Sequence, residues 1–584
     1  MVQPLIRPRA REPLAAEALI ASGVHPLLAR LWAARGLKQT SDTSWGALIP
    51  PTSMSHIEEA AALLADAITR RLRLLIVADY DCDGATACAV AVRGLRDMGA
   101  TVDFLVPNRF ETGYGLSPAV VELALRHPSG RPDLLITVDN GIASVAGVAA
   151  ANAAGMGVLV TDHHLPGTDL PQALAIVNPN QKGCTFPSKN LAGVGVIFYV
   201  LLALRAQLRS RGAYATTPEP RLDRYVDLVA LGTVADVVRL DANNRVLVSQ
   251  GLKRIRQGRM QAGVAALFKI SGRDPGCAST ADLGFALGPR INAAGRMADM
   301  SLGIHCLLED NLEKALALAQ ALDAINRERR DREASMRDEA LAHLDAVQQA
   351  FSASVCVWQP GWHPGVIGLV ASRLKETYWR PAIAFAPDAD GTLRGSGRSI
   401  PDVHLRDVLD LVSKRLPGAI LQFGGHAMAA GLTLRASAFD DFSTQFDAAV
   451  RTLSGRESFE PMLDTDGSLE APLVTTEIAT MLGQQIWGAG FPPPLFQDSF
   501  RVIHQRLLKD RHLKLFLERD GLRIDAIWFN HPEPVAEQIE AVYHLESNTW
   551  GGRTTVQLMI EHAQATRPAA DLPTPTQMPA RAAS

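Results

Sequence analysis

Cysteine is scarce in this chain of 584 residues: there are six, at positions 82, 88, 184, 277, 306 and 356, and no two form a CxxC pair. That excludes a disulfide framework and a zinc knuckle, and it points to a reducing compartment, the cytoplasm. An excess of either charge is also missing. Lys and Arg number 58 against 61 Asp and Glu, a formal net charge of −3. A nucleic-acid partner would therefore have to be held by a local basic groove, because the field of the whole protein will not attract it. The opening MVQPLIRPRAREPL has basic residues but no apolar core behind them, unlike a signal peptide. The stretch 141–160 has about the length of a membrane span, yet it is mostly Ala and Gly, contains Asn152 and is bracketed by VDNG and TDHH. It reads as a helix followed by a buried strand, and no membrane association is expected. What remains is a globular composition, 47% hydrophobic and 20% charged, long enough for about three or four domains.

Apolar runs and helical patterns alternate from residue 57 onward. RLLIVA (73–78), TVDFLVP, DLLITV (133–138) and GVLVT (157–161) are short runs rich in branched residues and predict buried strands. GATACAVAVRGLRDMG, SPAVVELALRH and SVAGVAAANAAG lie between them and predict helices. Repeated βαβ implies α/β architecture, a parallel sheet with helices on both faces. Residues 311–350, without Gly or Pro, predict one or two long charged helices linking this domain to a second, smaller α/β domain over 351–455. From about 456 to 565 short strands recur at the spacing of a small β-barrel, OB-like, with WGAGFPPPLF near its start. The Pro/Ala-rich tail, 566–584, is expected to be disordered.

Acids sit where the strands end. Asp79, Asp139 and Asp162 each follow directly after a predicted strand, and in open α/β sheets ligands bind at the carboxyl ends of the strands. One such Asp is ordinarily a helix cap or a turn residue. A triple aspartate in DYDCDG, a DNG and a tandem histidine in TDHH are more than caps require. The spacing of Asp79, Asp81 and Asp83 also resembles the start of an EF-hand, but the twelfth position is Val90 and the intervening ATACAV is apolar. A further acid, Asp236, ends the apolar helix of 223–240, where the macrodipole disfavours it unless a cation sits beside it. If 79–83 is extended, the three aspartates share one side and Cys82 faces the other as packing. Asp79, Asp81, Asp83, Asp139, Asp162, His163, His164 and Asp236 together make a site of hard oxygens with one or two imidazoles. That suits Mn²⁺ or Mg²⁺ better than structural zinc. The carboxylates exceed the need of one ion, so two are expected, an arrangement suited to phosphoryl transfer.

The set DYDCDG, VDNG, TDHH and VADVV resembles the DHH phosphoesterase superfamily. GSGRS (395–399) and FGGHAMAAG resemble its associated C-terminal domain, and VPNRFETGYGL (106–116), ALGPRINAAGRM (286–297) and the barrel resemble the RecJ exonuclease family within it. The resemblance covers about residues 50 to 560. It implies an N-terminal extension (1–50), a DHH phosphoesterase domain (51–310), a helical linker (311–350), a DHH-associated glycine-rich domain (351–455), an OB-like DNA-binding barrel (456–565) and a tail (566–584). It implies metal ligands at Asp81, Asp83, Asp139, His163 and Asp236, with Asp139 bridging, and Asp79 in the part that a superfamily His plays where this chain has Val77. His164 is implied as a partner that orients a ligand carboxylate or the substrate phosphate.

The remaining motifs have a substrate logic. Arg109 can fork onto a phosphate and Tyr114 can stack on a base or sugar. Ser396 and Arg398 in GSGRS, and Gly424, Gly425 and His426 in FGGHAMAAG, offer backbone N–H groups and cationic side chains to an anion. Ser372 and Arg373 in LVASRL are further phosphate candidates. Residues 501–523 hold seven Lys or Arg against three acids, a local excess that can track a DNA backbone. The expected activity is metal-dependent 5′→3′ hydrolysis of single-stranded DNA to mononucleotides, in DNA repair and recombination. Single-stranded DNA is the expected partner, and the family resemblance adds a helicase and a single-strand-binding protein; a monomer is expected. Two other readings stay open: a phosphodiesterase for short oligonucleotides or cyclic dinucleotides, and a non-catalytic replication scaffold.

Overall fold

The computed structural model describes residues 3–107, 115–346, 352–388, 391–550 and 552–566. The chain divides into two compact units. One contains the residues up to Leu5, Asp42–Pro461 and Ile486–Phe491; the other contains Ile6–Ser41, Met462–Gln485 and the residues from Pro492 onward.

The first unit begins with a five-stranded sheet in the order Thr101–Leu105, Arg73–Ala78, Leu134–Val138, Gly157–Thr161, Ala175–Val177. Every neighbouring pair is parallel. Alternation along Arg73–Ala78 sends Leu74, Ile76 and Ala78 into one core and Leu75 and Val77 into another. The larger core holds the helices Cys82–Asp97, Gly193–Ser210 and Val226–Ala235, and the smaller one holds Pro118–Leu125 and Val145–Ala153. Both faces of the sheet are therefore covered, as its continuous apolar strands require. The stretch 141–160 is a helix and a buried strand. Gly193–Ser210 is long and apolar enough to cross a membrane, but it lies mostly buried in the larger core.

One continuous helix, Leu312–Ala346, spans 35 residues. Ala315, Ala319 and Leu322 at its start join the core of the first sheet, while Met336, Ala340 and Leu344 pack with Trp362, Val366 and Ile367 of the next domain. That domain has a five-stranded sheet in the order Ile420–Gly425, Ala429–Arg435, Thr392–Arg398, Ala382–Pro387, Val355–Trp358. Only the last pair is parallel.

The second unit is built on a closed barrel, Phe496–Leu508, His512–Arg519, Leu522–Trp528, Arg553–Ala565 and Gln538–Trp550. The N-terminal stretch belongs with it. Arg9 N donates to Thr465 O at 2.8 Å, and the buried guanidinium of Arg35 holds both carboxylate oxygens of Asp466 at 2.8 Å. The segment Ile486–Phe491 belongs to the first unit. There Leu240 N donates to Ala489 O at 2.9 Å, and buried Arg245 donates to Ile486 O at 2.7 Å while lying over the Phe491 ring. The tail from 567 lies outside the described residues.

Candidate metal centre

The three strand-end aspartates extend the parallel ladder by one step: Asp79 N donates to Val138 O at 3.3 Å, Asp139 N to Thr161 O at 3.1 Å, and Asp162 N to Val177 O at 3.1 Å. The backbone then turns, and their side chains collect at the carboxyl edge of the sheet. Asp139 sits at φ +63°, a left-handed conformation that Asp tolerates better than most residues and that recurs at functional sites.

The segment 79–83 is not extended throughout. The helix Cys82–Asp97 starts two residues earlier than its apolar pattern suggests, because Asp81 caps it: Asp81 Oδ1 accepts from Gly84 N at 3.0 Å. Asp83 therefore lies in the first helical turn, and strand alternation does not set its direction. Cys82 is buried in the core as packing. A second helix start receives Asp83, whose two oxygens accept from Gly193 N at 2.6 Å and Val194 N at 2.9 Å. Gly193 is tight: a Cβ there would stand 2.5 Å from Asp139 Cβ. Asp236 is the C-cap of Val226–Ala235, facing the adverse end of the macrodipole.

Ligand atoms of Asp79, Asp81 and Asp139 lie within 4.8 Å of one another, and so do those of Asp83, His163 and Asp236. His163 Nε2 stands 3.1 Å from Asp139, 3.5 Å from Asp236 and 3.9 Å from Asp83. It is buried and makes no hydrogen bond. Burial and the neighbouring His164 hold His163 down at about 4, so its ring is neutral with a lone pair to give. Burial, then the charge of Asp81, pushes Asp79 up to about 8 and Asp83 up to about 7. Burial and the adjacent carboxylates, Asp83 foremost, also raise Asp139 and Asp236. So many carboxylates cannot ionise together at neutral pH without cations between them. The donor set, hard oxygens and one imidazole, fits a pair of ions of the Mn²⁺ or Mg²⁺ type.

His164 plays a different part. Against the cost of burial, its Nδ1 contact with Asp162 Oδ1 at 2.8 Å lifts it to about 9. Asp162 in turn accepts from the amides of Ile142, His163 and His164. Asp162 is thus the anchor that sets both histidines. Asn292 is a contributor that had no assigned role in the sequence: its Oδ1 accepts from Cys82 N at 2.7 Å, fixing the first turn behind Asp81 and Asp83. The only sequence hint was its place in GPRINAAGR.

The substrate candidates are distributed elsewhere. Arg109 and Tyr114 lie within 108–114, outside the described residues. Ser372 Oγ donates to Gly368 O, and Arg373 is tied to Glu333 and Glu376 at 3.1 and 3.0 Å, so both serve the helix and the linker. The Arg398 guanidinium is mostly buried, donates to Gly397 O at 2.8 Å and Ser396 Oγ at 3.2 Å, and has no acid partner among the described residues. Gly424 and Gly425 end a hairpin strand, and the exposed His426 follows them, its amide donating to Ala429 O at 2.8 Å. Among the described residues no contact joins Ser396, Arg398, Gly424, Gly425 or His426 to the carboxylates.

Residues 73–233 match the DHH family, N-terminal domain; residues 348–452 match the DHHA1 domain; and residues 465–562 match the RecJ OB domain. The single-stranded-DNA-specific exonuclease RecJ of Dickeya dadantii is 47% identical over 563 residues, covering 94% of this chain and 97% of the relative. The protein of the same description from Escherichia coli is 45% identical, covering 92% and 95%. Among solved structures, RecJ from Thermus thermophilus in complex with Mn²⁺ superposes with a TM-score of 0.79 at 28% identity, covering 96% of this chain and 80% of that one. The Mg²⁺ complex gives 0.74 at 27% identity, covering 96% and 79%.

Proposed function

The chain belongs to the RecJ family of single-stranded-DNA-specific exonucleases, and we propose that it hydrolyses single-stranded DNA from the 5′ end, releasing mononucleotides, at the carboxylate centre. The observation that carries this is the convergence of Asp79, Asp81, Asp83, Asp139 and Asp236 around the buried Nε2 of His163. These six residues would hold two divalent cations, Mn²⁺ or Mg²⁺. When bound, such a pair supplies an activated water and charge neutralisation at a phosphodiester. The protein's own share is positional. The amides of Gly193 and Val194 fix Asp83, the Asp81 cap fixes the first turn, and Asp162 orients the two histidines. His164, at the rim of the cluster and more exposed than His163, is placed to meet a phosphate oxygen. Ser396, Arg398, Gly424, Gly425 and His426, with Arg109 and Tyr114, are proposed as the substrate contacts. A non-catalytic scaffold has no need of this acid set, and a phosphodiesterase for short substrates has no need of a barrel.

Polarity is tested directly. A single strand carrying a bulky group at its 5′ end is expected to resist digestion, while a 3′ block leaves the rate nearly unchanged. Equal protection by both blocks would falsify the 5′→3′ assignment.

The barrel narrows the basic surface. Arg501 pairs with Glu518, Lys514 with Asp525, Arg519 with Asp498 and Arg523 with Glu518. Arg506, Lys509 and Arg511, around one exposed hairpin turn, have no ion-pair partner among the described residues. They are the proposed contacts to the DNA backbone. Replacing all three with Gln is expected to flatten the plot of log binding constant against log salt by about 2, since each single-strand phosphate contact contributes about 0.7. An unchanged slope would remove this turn from the binding surface. The enzyme is proposed to act as a monomer in the cytoplasm, in repair and recombination, on strands that a helicase exposes and a single-strand-binding protein covers.

A further inference from the structure

Two large apolar side chains stand in solvent on segments that meet at the end of the helix Val226–Ala235. Phe285 is 86% exposed and Val237 is 71% exposed. A single exposed apolar residue is common on any protein surface; the setting of these two is not. Phe285 lies in a π-helical segment, Asp282–Leu287, a rare geometry that concentrates at functional sites. The neighbours Leu283, Ala286 and Leu287 are buried, so the segment is well packed and still leaves its largest side chain outside. Val237 has φ +61°, a left-handed backbone that a β-branched residue adopts only when its surroundings impose it.

The packing brings their segments together. A Cβ on Gly284 would touch Val234 Cγ1 at 3.3 Å, and one on Gly288 would touch Ala235 Cβ at 3.1 Å. The segment that carries Phe285 is thus laid along the last turn of the helix Val226–Ala235, whose C-cap is Asp236, 3.5 Å from His163. Val237 is the next residue. The segment that carries the exposed ring and the residue that carries the exposed isopropyl group thus both border the helix end that carries a carboxylate of the metal centre.

We infer that Phe285, together with Val237, is a stacking platform for a nucleobase of the strand being degraded. The base of a nucleotide lies one sugar away from its phosphate, so a strand whose phosphate occupies the carboxylate centre brings a base to the rim of that centre. An aromatic face accepts any of the four bases, because each offers a flat π surface. The inference rests on the exonuclease reading and adds to it the part of the substrate that is held by its base.

The test compares Phe285→Ala and Phe285→Trp with the wild type on two substrates: a single-stranded oligonucleotide, and the same strand with abasic sites in place of its first several nucleotides at the 5′ end. Phe285→Ala is expected to raise KM on the normal strand by about 10- to 100-fold, the usual consequence of losing one base–aromatic stack, with kcat unchanged because the stack is uniform binding. On the abasic strand wild type and Phe285→Ala should have the same KM, and Phe285→Trp should restore the normal KM. The mutated side chain is exposed, so the melting temperature should stay at the wild-type value. An unchanged KM for Phe285→Ala on the normal strand, or an equal rise on both strands, overturns the platform while leaving the exonuclease reading intact. A wild-type protein that does not degrade the normal strand at all overturns both.

Discussion

Asp139→Asn is expected to fold and to lose about 10³-fold or more of its turnover. Asp139 lies at the middle of the centre, 3.1 Å from His163 Nε2 and within ligand distance of Asp79 and Asp81. An amide at this position keeps the shape and tolerates φ +63°, but it removes the charge that both cations would share. Losing most of the charge stabilisation that a metal pair gives a phosphoryl group costs several kcal/mol, or about 10³-fold or more in turnover. The metal-free protein should lose no stability, because the substitution relieves a carboxylate that burial and Asp83 already hold well above the usual range. The comparison is thermal melting with and without Mn²⁺, alongside digestion of a single strand. The wild type should gain melting temperature from Mn²⁺ and Asp139→Asn should gain little. A folded Asp139→Asn protein that digests DNA at the wild-type rate would dismiss the two-metal assignment.

His426→Ala is expected to be the second largest loss, about 10²–10³-fold in turnover, the usual cost of removing one preorganised donor to developing charge. The carboxylate centre is rich in acceptors and poor in donors, and a phosphate needs donors at its non-bridging oxygens. His426 follows Gly424 and Gly425 at a hairpin end and is exposed, so truncation leaves no cavity and the melting temperature should hold. Mn²⁺ affinity, measured by titration without DNA, should stay near wild type, since His426 touches none of the proposed ligands. Undiminished turnover in this variant would mean that the glycine-rich domain stands apart from the chemistry.

The strand-end acids were legible because two local signals coincide. A short apolar run marks a buried parallel strand, and the edge where such strands end is where ligands bind. Asp139, Asp162 and His163 needed nothing more. The direction of Asp83 was not legible from alternation, because the competition between strand and helix at Cys82 is decided by the Asp81 cap, a side-chain-to-backbone bond that periodicity does not record. Asn292 acts across 210 residues of sequence, and no local pattern reports that. The basic excess of 501–523 misled in part. A charge count ignores cross-strand partners, and the acids Glu518 and Asp525 neutralise several of its members. Phe285 carried no signal in the sequence; it lies in a π-helical segment that single residues do not announce.

The union of the N-terminal stretch with the barrel has a consequence for how the molecule is made. Arg35 and Asp466 are 431 residues apart in the chain, so at about 5–20 residues per second the first waits on the order of 20–90 s on the ribosome for the second to be synthesised. Until then the strand Leu5–Pro8 lacks its partner strand Met462–Thr465, and Arg35 lacks Asp466. The two five-stranded sheets of the first unit, whose strands lie between Arg73 and Arg435, can form in that interval, and the barrel, which starts at Phe496, closes last. A gene shortened anywhere before Met462 would therefore leave the opening forty or so residues permanently without their mates, an orphan segment exposed to chaperones and proteases.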